Sequence, residues 1–253
     1  MPESDSFNTE IEEKDFLFDK TYQCPCCEME ISSRTIRTGK ARLIGADPDM
    51  RPRYEKVEPL KYDVIMCDVC GYTALSRFFT YLTAGQKKLI QEKISMTFNP
   101  PTVKETYSYA DALERYKMAL ACSVVKNAKA SEKAYICLKM GWLARSYAES
   151  LEQDFEEDTE SKQKAMEMED AFLHNAYDGF LMAIGKEDFP MCGMDEVTID
   201  YLLATLAARF GQYDTASKLV ASVLTSRSAN TRMKDRARDL KEQILQKRRE
   251  GEA

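Results

Sequence analysis

The chain has 253 residues, 44% of them hydrophobic and 31% charged, with 36 Lys and Arg against 42 Asp and Glu for a net charge of −6. That length allows one large domain or two smaller ones around a real core, and the charge balance excludes a disordered acidic tail. Ten Gly and eight Pro disfavour an all-β sandwich, while a single His removes most acid–base, triad and mixed His/carboxylate metal chemistry.

In chain order, residues 1–19 read as a flexible acidic segment. The start, MPESDSFNTEIEEKDF, has no basic region followed by an apolar one, so no signal peptide is expected there. No stretch reaches the ~20 apolar residues needed to span a bilayer. The expected compartment is a reducing cytoplasm, where paired cysteines usually mean metal or redox work.

Residues 20–98 read as a small loop-and-strand module with a trailing helix. Five of the eight cysteines lie here, between Cys24 and Cys70. Ser33 to Ile44, turning at Gly39, predicts two short strands and a turn. Tyr62 to Met66 predicts a strand running into Cys67. Helical spacing of Leu89, Ile90, Ile94 and Phe98 predicts a helix over 83–98, and Asn99-Pro100-Pro101 ends it. Phe78, Phe79 and Tyr81 at the module boundary are expected in an inter-domain core.

Residues 102–250 read as all-α. Stripes at Tyr109, Leu113, Tyr116 and Leu120, at Tyr135, Leu138 and Trp142, and at Leu173, Ala176, Phe180 and Ile184 predict three helices. Helices over 196–210 and 213–226 follow, with Gly211 as a left-handed cap between them, and a basic final helix uses Met233, Ala237, Leu240 and Ile244. The small residues Ala204, Ala207 and Ala216 around Phe210-Gly211-Gln212-Tyr213 resemble a tetratricopeptide-like helix pair. An acidic insert, Glu152 to Glu160, is expected to be a solvated loop. The fold class is α+β, mostly α: a zinc ribbon-like β module followed by a tetratricopeptide-like helical domain.

The strongest chemical signal is Cys24-Pro25-Cys26-Cys27 with Cys67-Asp68-Val69-Cys70-Gly71. Each C-x-x-C turn converges two thiolates, and two turns supply the four sulfurs of a tetrahedral zinc site. Cys24, Cys27, Cys67 and Cys70 are therefore the candidate metal ligands. Four sulfurs leave no open coordination position, so the zinc is read as structural rather than catalytic. Iron–sulfur ligation and a redox-active pair compete with this reading. Cys26 is expected to be a spare knuckle thiol, Cys122 and Cys137 small core residues, and Cys192 a loop thiol open to reaction. His174 has no ligand-like partner at i±4 and reads as an ordinary helix residue.

Arg34, Arg37, Lys40 and Arg42 come with no acid between Ile31 and Ala46. On paired strands they would form a basic face for nucleic acid, or simply compensate the excess negative charge of a four-thiolate centre. The pI near 5.2 argues against a dedicated nucleic-acid binder. No phosphate loop, G-x-S-x-G elbow or H-E-x-x-H is present.

The whole chain resembles a bacterial family catalogued as domain of unknown function 2225. The resemblance rests on Cys24-Pro25 to Cys27, Leu43, Asp47, Asp49, Tyr54, Pro59-Leu60, Tyr62-Asp63-Val64 and Cys67-x-x-Cys70-Gly71-Tyr72. It continues through Ala112-Leu113, Tyr116, Ala119-Leu120-Ala121, Leu138, Trp142-Leu143, Arg145 and residues 203–224. It implies this fold, a zinc site and a bacterial cytoplasmic origin, and it supplies no activity. The leading functional expectation is a non-enzymatic interaction or scaffold protein holding a partner peptide in its helical groove. Nucleic-acid binding through the ribbon and thiol redox or metal sensing are the alternatives.

Overall fold

In the computed structural model, residues 12–151 and 159–251 are described. Most of the predicted acidic N-terminal segment and of the acidic insert lies outside them. Three antiparallel hairpins come first: β1 (Leu17–Gln23) with β2 (Glu30–Ile36), β3 (Arg42–Ala46) with β4 (Pro52–Glu55), and β5 (Val64–Met66) with β6 (Thr73–Leu75). Seven α-helices follow among the described residues: α1 (Ala84–Ile90), α2 (Tyr109–Val125), α3 (Ala130–Leu151), α4 (Thr159–Ile184), α5 (Glu196–Arg209), α6 (Tyr213–Thr225) and α7 (Thr231–Gly251).

Three details of the elements differ from the sequence expectations. Leu17 to Asp19, assigned to the flexible segment, pair with Arg34 to Ile36 and start β1. Residues 33–44 do not form one hairpin: β2 pairs back to β1, and β3 pairs forward to β4. The period-2 pattern locates strands, but it does not say which neighbour each strand chooses. The trailing helix is also shorter than predicted, since α1 gives way at Gln91 to one wider turn through Ser95.

Helix boundaries follow local chemistry. Thr83 and Ser108 cap α1 and α2 through reciprocal bonds with Gln86 and Asp111, and the Asp195 carboxylate accepts from the Thr198 amide at 2.8 Å at the start of α5. Gly211 sits at φ +72° between α5 and α6, the left-handed turn expected there.

Two cores result. The larger is helical, built from Tyr116, Leu138, Leu143, Phe180, Leu203 and Val220 among others, and it also takes Leu60, Val64 and Leu75 from the β module. The smaller surrounds the cysteine turns with Ile31, Ile65, Tyr72, Phe79, Leu82, Ile90 and Cys122. Helix α2 belongs to both, through Tyr116 in the first and Cys122 in the second. Phe79 is buried as expected, but Tyr81 is 81% exposed and is no part of a core.

Helices α3, α5 and α7 line a groove of about 200 Å³, with Leu206, Leu240 and Ile244 among its walls. Pro48 and Asp49, from the β3–β4 turn, form part of the same wall.

Candidate metal centre

Each C-x-x-C sequence forms the turn of a hairpin, Cys24–Cys27 between β1 and β2 and Cys67–Cys70 between β5 and β6. The two turns share one hydrogen-bond plan. The amide of Glu28 donates to the Cys24 carbonyl, as that of Gly71 does to Cys67, both at 2.9 Å. The amide of Cys24 donates to Met29 O and that of Cys67 to Tyr72 O, again at 2.9 Å. Inside the turns, the Cys26 amide donates to Cys24 Sγ and the Cys70 amide to Cys67 Sγ, each at 3.4 Å. Such donors stabilise thiolate charge. Glu28 and Gly71 hold the same left-handed position, at φ +64° and +76°. Only glycine fits the second, because the Phe98 ring lies on it: an added Cβ would stand 2.5 Å from Phe98 Cγ.

The four predicted ligands meet. Sγ atoms of Cys24, Cys27, Cys67 and Cys70 all lie within 4.8 Å of one another. Cys24 and Cys70 are 3.7 Å apart, and Cys27 and Cys67 are 3.6 Å apart. Sulfurs at ~2.3 Å from a tetrahedral ion are separated by ~3.8 Å, so the donor set fits such an ion. These separations are far beyond the ~2.05 Å of a disulfide, and all eight cysteines are free thiols. Cys24, Cys67 and Cys70 are buried, while Cys27 is partly exposed. Without an ion the cluster cannot be uniformly charged. Hydrogen bonds from Cys24 and Cys70 draw the Cys67 thiol well below its usual value, while Cys24, bonded to the Cys67 sulfur, is pushed up. A bound cation would displace the protons these sulfurs share and hold all four as thiolates.

The remaining cysteines divide as follows. Cys26 stands outside the cluster, but it is buried at 3% exposure with its Sγ toward the Lys87 carbonyl, so it is not solvent-facing. Burial raises its pKa. Cys122 accepts from the Thr73 amide at 3.4 Å and donates to Gly71 O at 3.7 Å, joining α2 to the second cysteine turn. Cys137 is buried in the helical core. Cys192 donates to Ser131 O at 3.3 Å, and burial pushes its thiol up to about 11, which disfavours the thiolate that reaction needs.

The basic residues are divided between two hairpins and the link that joins them. Arg34 lies on β2 and pairs with Asp19 at 3.1 Å; Arg42 lies on β3 and pairs with Glu55 at 3.5 Å. Arg37 packs near the Phe18 ring, and Lys40 is exposed in the link between the hairpins. His174 stacks on Phe210 at 3.7 Å, a surface packing role.

A match to a model of a family of uncharacterised proteins conserved in bacteria, DUF2225, covers residues 17–244. The chain belongs to this family. No curated protein and no solved structure matches it. The match spans both cysteine turns and all seven helices but the last turns of α7, so the family unit is the β module and helical array together. No described helix is long and apolar enough to cross a membrane.

A second constellation joins those two parts, and no motif spacing in the sequence announces it. Arg51, at the β3–β4 turn, is 2% exposed. Its Nε donates to Asp47 at 2.7 Å, its Nη1 to Ser146 Oγ at 2.9 Å and its Nη2 to both Glu149 oxygens at 2.7 Å. Arg145 on α3 reaches Asp47 at 2.8 Å, Asp49 at 2.6 Å and Glu169 of α4 at 2.8 Å. Arg53 also pairs with Asp47 and Glu149, and Trp142 Nε1 donates to Asp49 at 3.2 Å. Arg209 of α5 extends the chain to Glu169 at 2.7 Å. The available signal was the alternation Asp47, Asp49, Arg51, Arg53 in one short turn, with Arg145 and Glu149 one helical turn apart.

Proposed function

We propose that this is a zinc-folded, non-catalytic interaction protein. The observation that carries the reading is the closed donor set: four thiols at tetrahedral spacing in two hairpin turns. Thiolate sulfur in that number suits zinc, and a full sulfur shell leaves no site for a bound water or substrate. Structural zinc supplies on the order of 10 kcal/mol to modules too small to fold alone. The hairpins here are short, and the β5–β6 pair has three residues a side.

The partner surface in this reading is the groove between α3, α5 and α7. Asp49 and Pro48 take part of its wall and the buried Leu206, Leu240 and Ile244 form its floor, so it admits one or two anchoring side chains rather than a long peptide. Lys247 at its edge favours acidic groups beside an apolar anchor.

Two measurements test this. Elemental analysis of folded, reduced protein is expected to find one zinc per chain; iron, or no metal, would overturn the zinc assignment. A photo-crosslinking residue at Gln243, exposed at the groove edge, is expected to capture one partner segment in cells. Gln243→Trp fills the groove and is expected to abolish that capture without changing Tm. Capture that survives it would sink the groove reading.

A further inference from the structure

Arg115, on α2, is a guanidinium without a counter-ion among the described residues. Its Nη2 donates to the Val64 carbonyl at 3.1 Å, and its Cζ lies 4.6 Å from the centre of the Tyr107 ring. Its Nε is buried and has no hydrogen-bond partner. Burial pulls its pKa down from the usual value, the sign of a charge held without compensation. The nearby carboxylates are engaged elsewhere: Asp111 with Lys104 at 2.7 Å and with the Ser108 cap, and Glu114 with Lys117 at 2.7 Å. Most polar groups this deep are satisfied, so an orphaned guanidinium nitrogen calls for a reason.

Arg115 lines a cavity of about 300 Å³, at the small end of ligand-site volumes (~300–1,000 Å³). Met66, Phe98, Pro101, Tyr107 and Met118 supply its apolar wall. We infer that this cavity binds a small organic carboxylate with an apolar body, its carboxylate held by Arg115.

The chemistry selects that class. A planar carboxylate matches the fork of a guanidinium and can pair with its two terminal nitrogens, of which only Nη2 has a partner among the described residues, while Met, Phe, Pro and Tyr surfaces suit a hydrocarbon or aromatic body. Asp111 and Glu114 also border this cavity, so one added negative charge is tolerated better than the two of a phosphate monoester. The site is separate from the helical groove and does not depend on which metal the cysteines hold. It does touch the metal module: Val64 begins the strand that enters Cys67, and the Phe98 ring rests on Gly71. A ligand seated there adds packing behind the second cysteine turn.

The test is a titration of full-length, metal-loaded protein with benzoate, hexanoate, benzamide and phenyl phosphate, followed by methionine-methyl NMR. Saturable shifts confined to Met66 and Met118 are expected with at least one of the two carboxylates. Benzamide and phenyl phosphate are expected to bind at least tenfold more weakly. Arg115→Gln is expected to lose binding tenfold or more. Arg115→Lys keeps the charge and stem but not the fork, so it is expected to bind more weakly than wild type, and it decides the matter if the glutamine variant does not fold. No saturable shift with either carboxylate, equal binding of benzamide, tighter binding of phenyl phosphate, or wild-type affinity in Arg115→Lys would overturn the site.

Discussion

At the residue scale, the ionic junction turns on two carboxyl groups that titrate in opposite directions. Burial alone would raise the Asp47 pKa, but Arg53, Arg145 and Arg51 together hold it below the usual carboxylate range. Glu58, half-buried beside Ser146, is raised, chiefly by desolvation. For Asp47 the folded state binds its proton less readily than the unfolded chain. Its stabilisation is present above the unfolded value of ~3.9 and is lost as pH falls through the lowered folded value. For Glu58 the sign reverses: its contribution is full below ~4.3 and is lost as pH rises through the raised folded value. Asp47→Asn leaves buried guanidinium charge uncompensated and is expected to cost about 3–5 kcal/mol at pH 7. In urea denaturation, that deficit should shrink as pH falls below 4. Glu58→Gln should gain stability relative to wild type between pH 4 and pH 7. A pH-independent deficit in the first variant, or a shrinking gain in the second, would contradict these assignments.

At the scale of elements, close helix packing makes a paired prediction. Gly179 on α4 faces Ala134 on α3, and an added Cβ would lie 2.8 Å from the Ala134 Cβ and 3.3 Å from its Cα. Relief requires moving one helix, so Gly179→Ala is expected to lose about 1–3 kcal/mol, outweighing the gain of up to ~1 kcal/mol in helix propensity. Gly185, just beyond α4, has open space around it and no positive φ, so Gly185→Ala is expected to be neutral or to stabilise by about 0.4–1 kcal/mol. Thermal denaturation of the two variants checks both signs. The helices themselves were legible because periodic burial and caps are local: Leu173, Ala176 and Phe180 are all buried as their spacing implied, while Ile184, the last of that stripe, is exposed where α4 ends. On α2 the most buried line is Ala112, Tyr116 and Ala119, with Leu113 and Leu120 flanking it, because a neighbour in close approach prefers small side chains. The four ligands were legible because the C-x-x-C spacing encodes the turn itself. Hairpin partners and the Arg51 network were not, because Arg51 and Glu149 lie 98 residues apart and only tertiary structure joins them.

At the scale of the whole molecule, two junctions join the β module to the helices beyond the Leu60, Val64 and Leu75 side chains that enter the larger core. One is the shared small core, where Cys122 of α2 meets Gly71 and Thr73 of the second cysteine turn. The other is the ionic junction of the β3–β4 turn with α3 and α4, which contains no cysteine. Removing the metal attacks only the first. The charge of four converging sulfurs then has no cation to hold it, and the small core around Ile65, Tyr72 and Ile90 loses its centre. The helical core is built mainly from α2 to α7 and does not depend on it. Chelation under reducing conditions, or Cys67→Ser with Cys70→Ser, is therefore expected to strip amide protection from β1, β2, β5, β6, α1 and the last turn of α2. Helices α3 to α6 should keep theirs, with the β3–β4 turn, pinned by Arg51, intermediate. Hydrogen exchange read by mass spectrometry distinguishes the outcomes. Uniform loss across all helices would make the molecule one cooperative unit, and unchanged protection at β5 and β6 would mean the hairpins fold without metal.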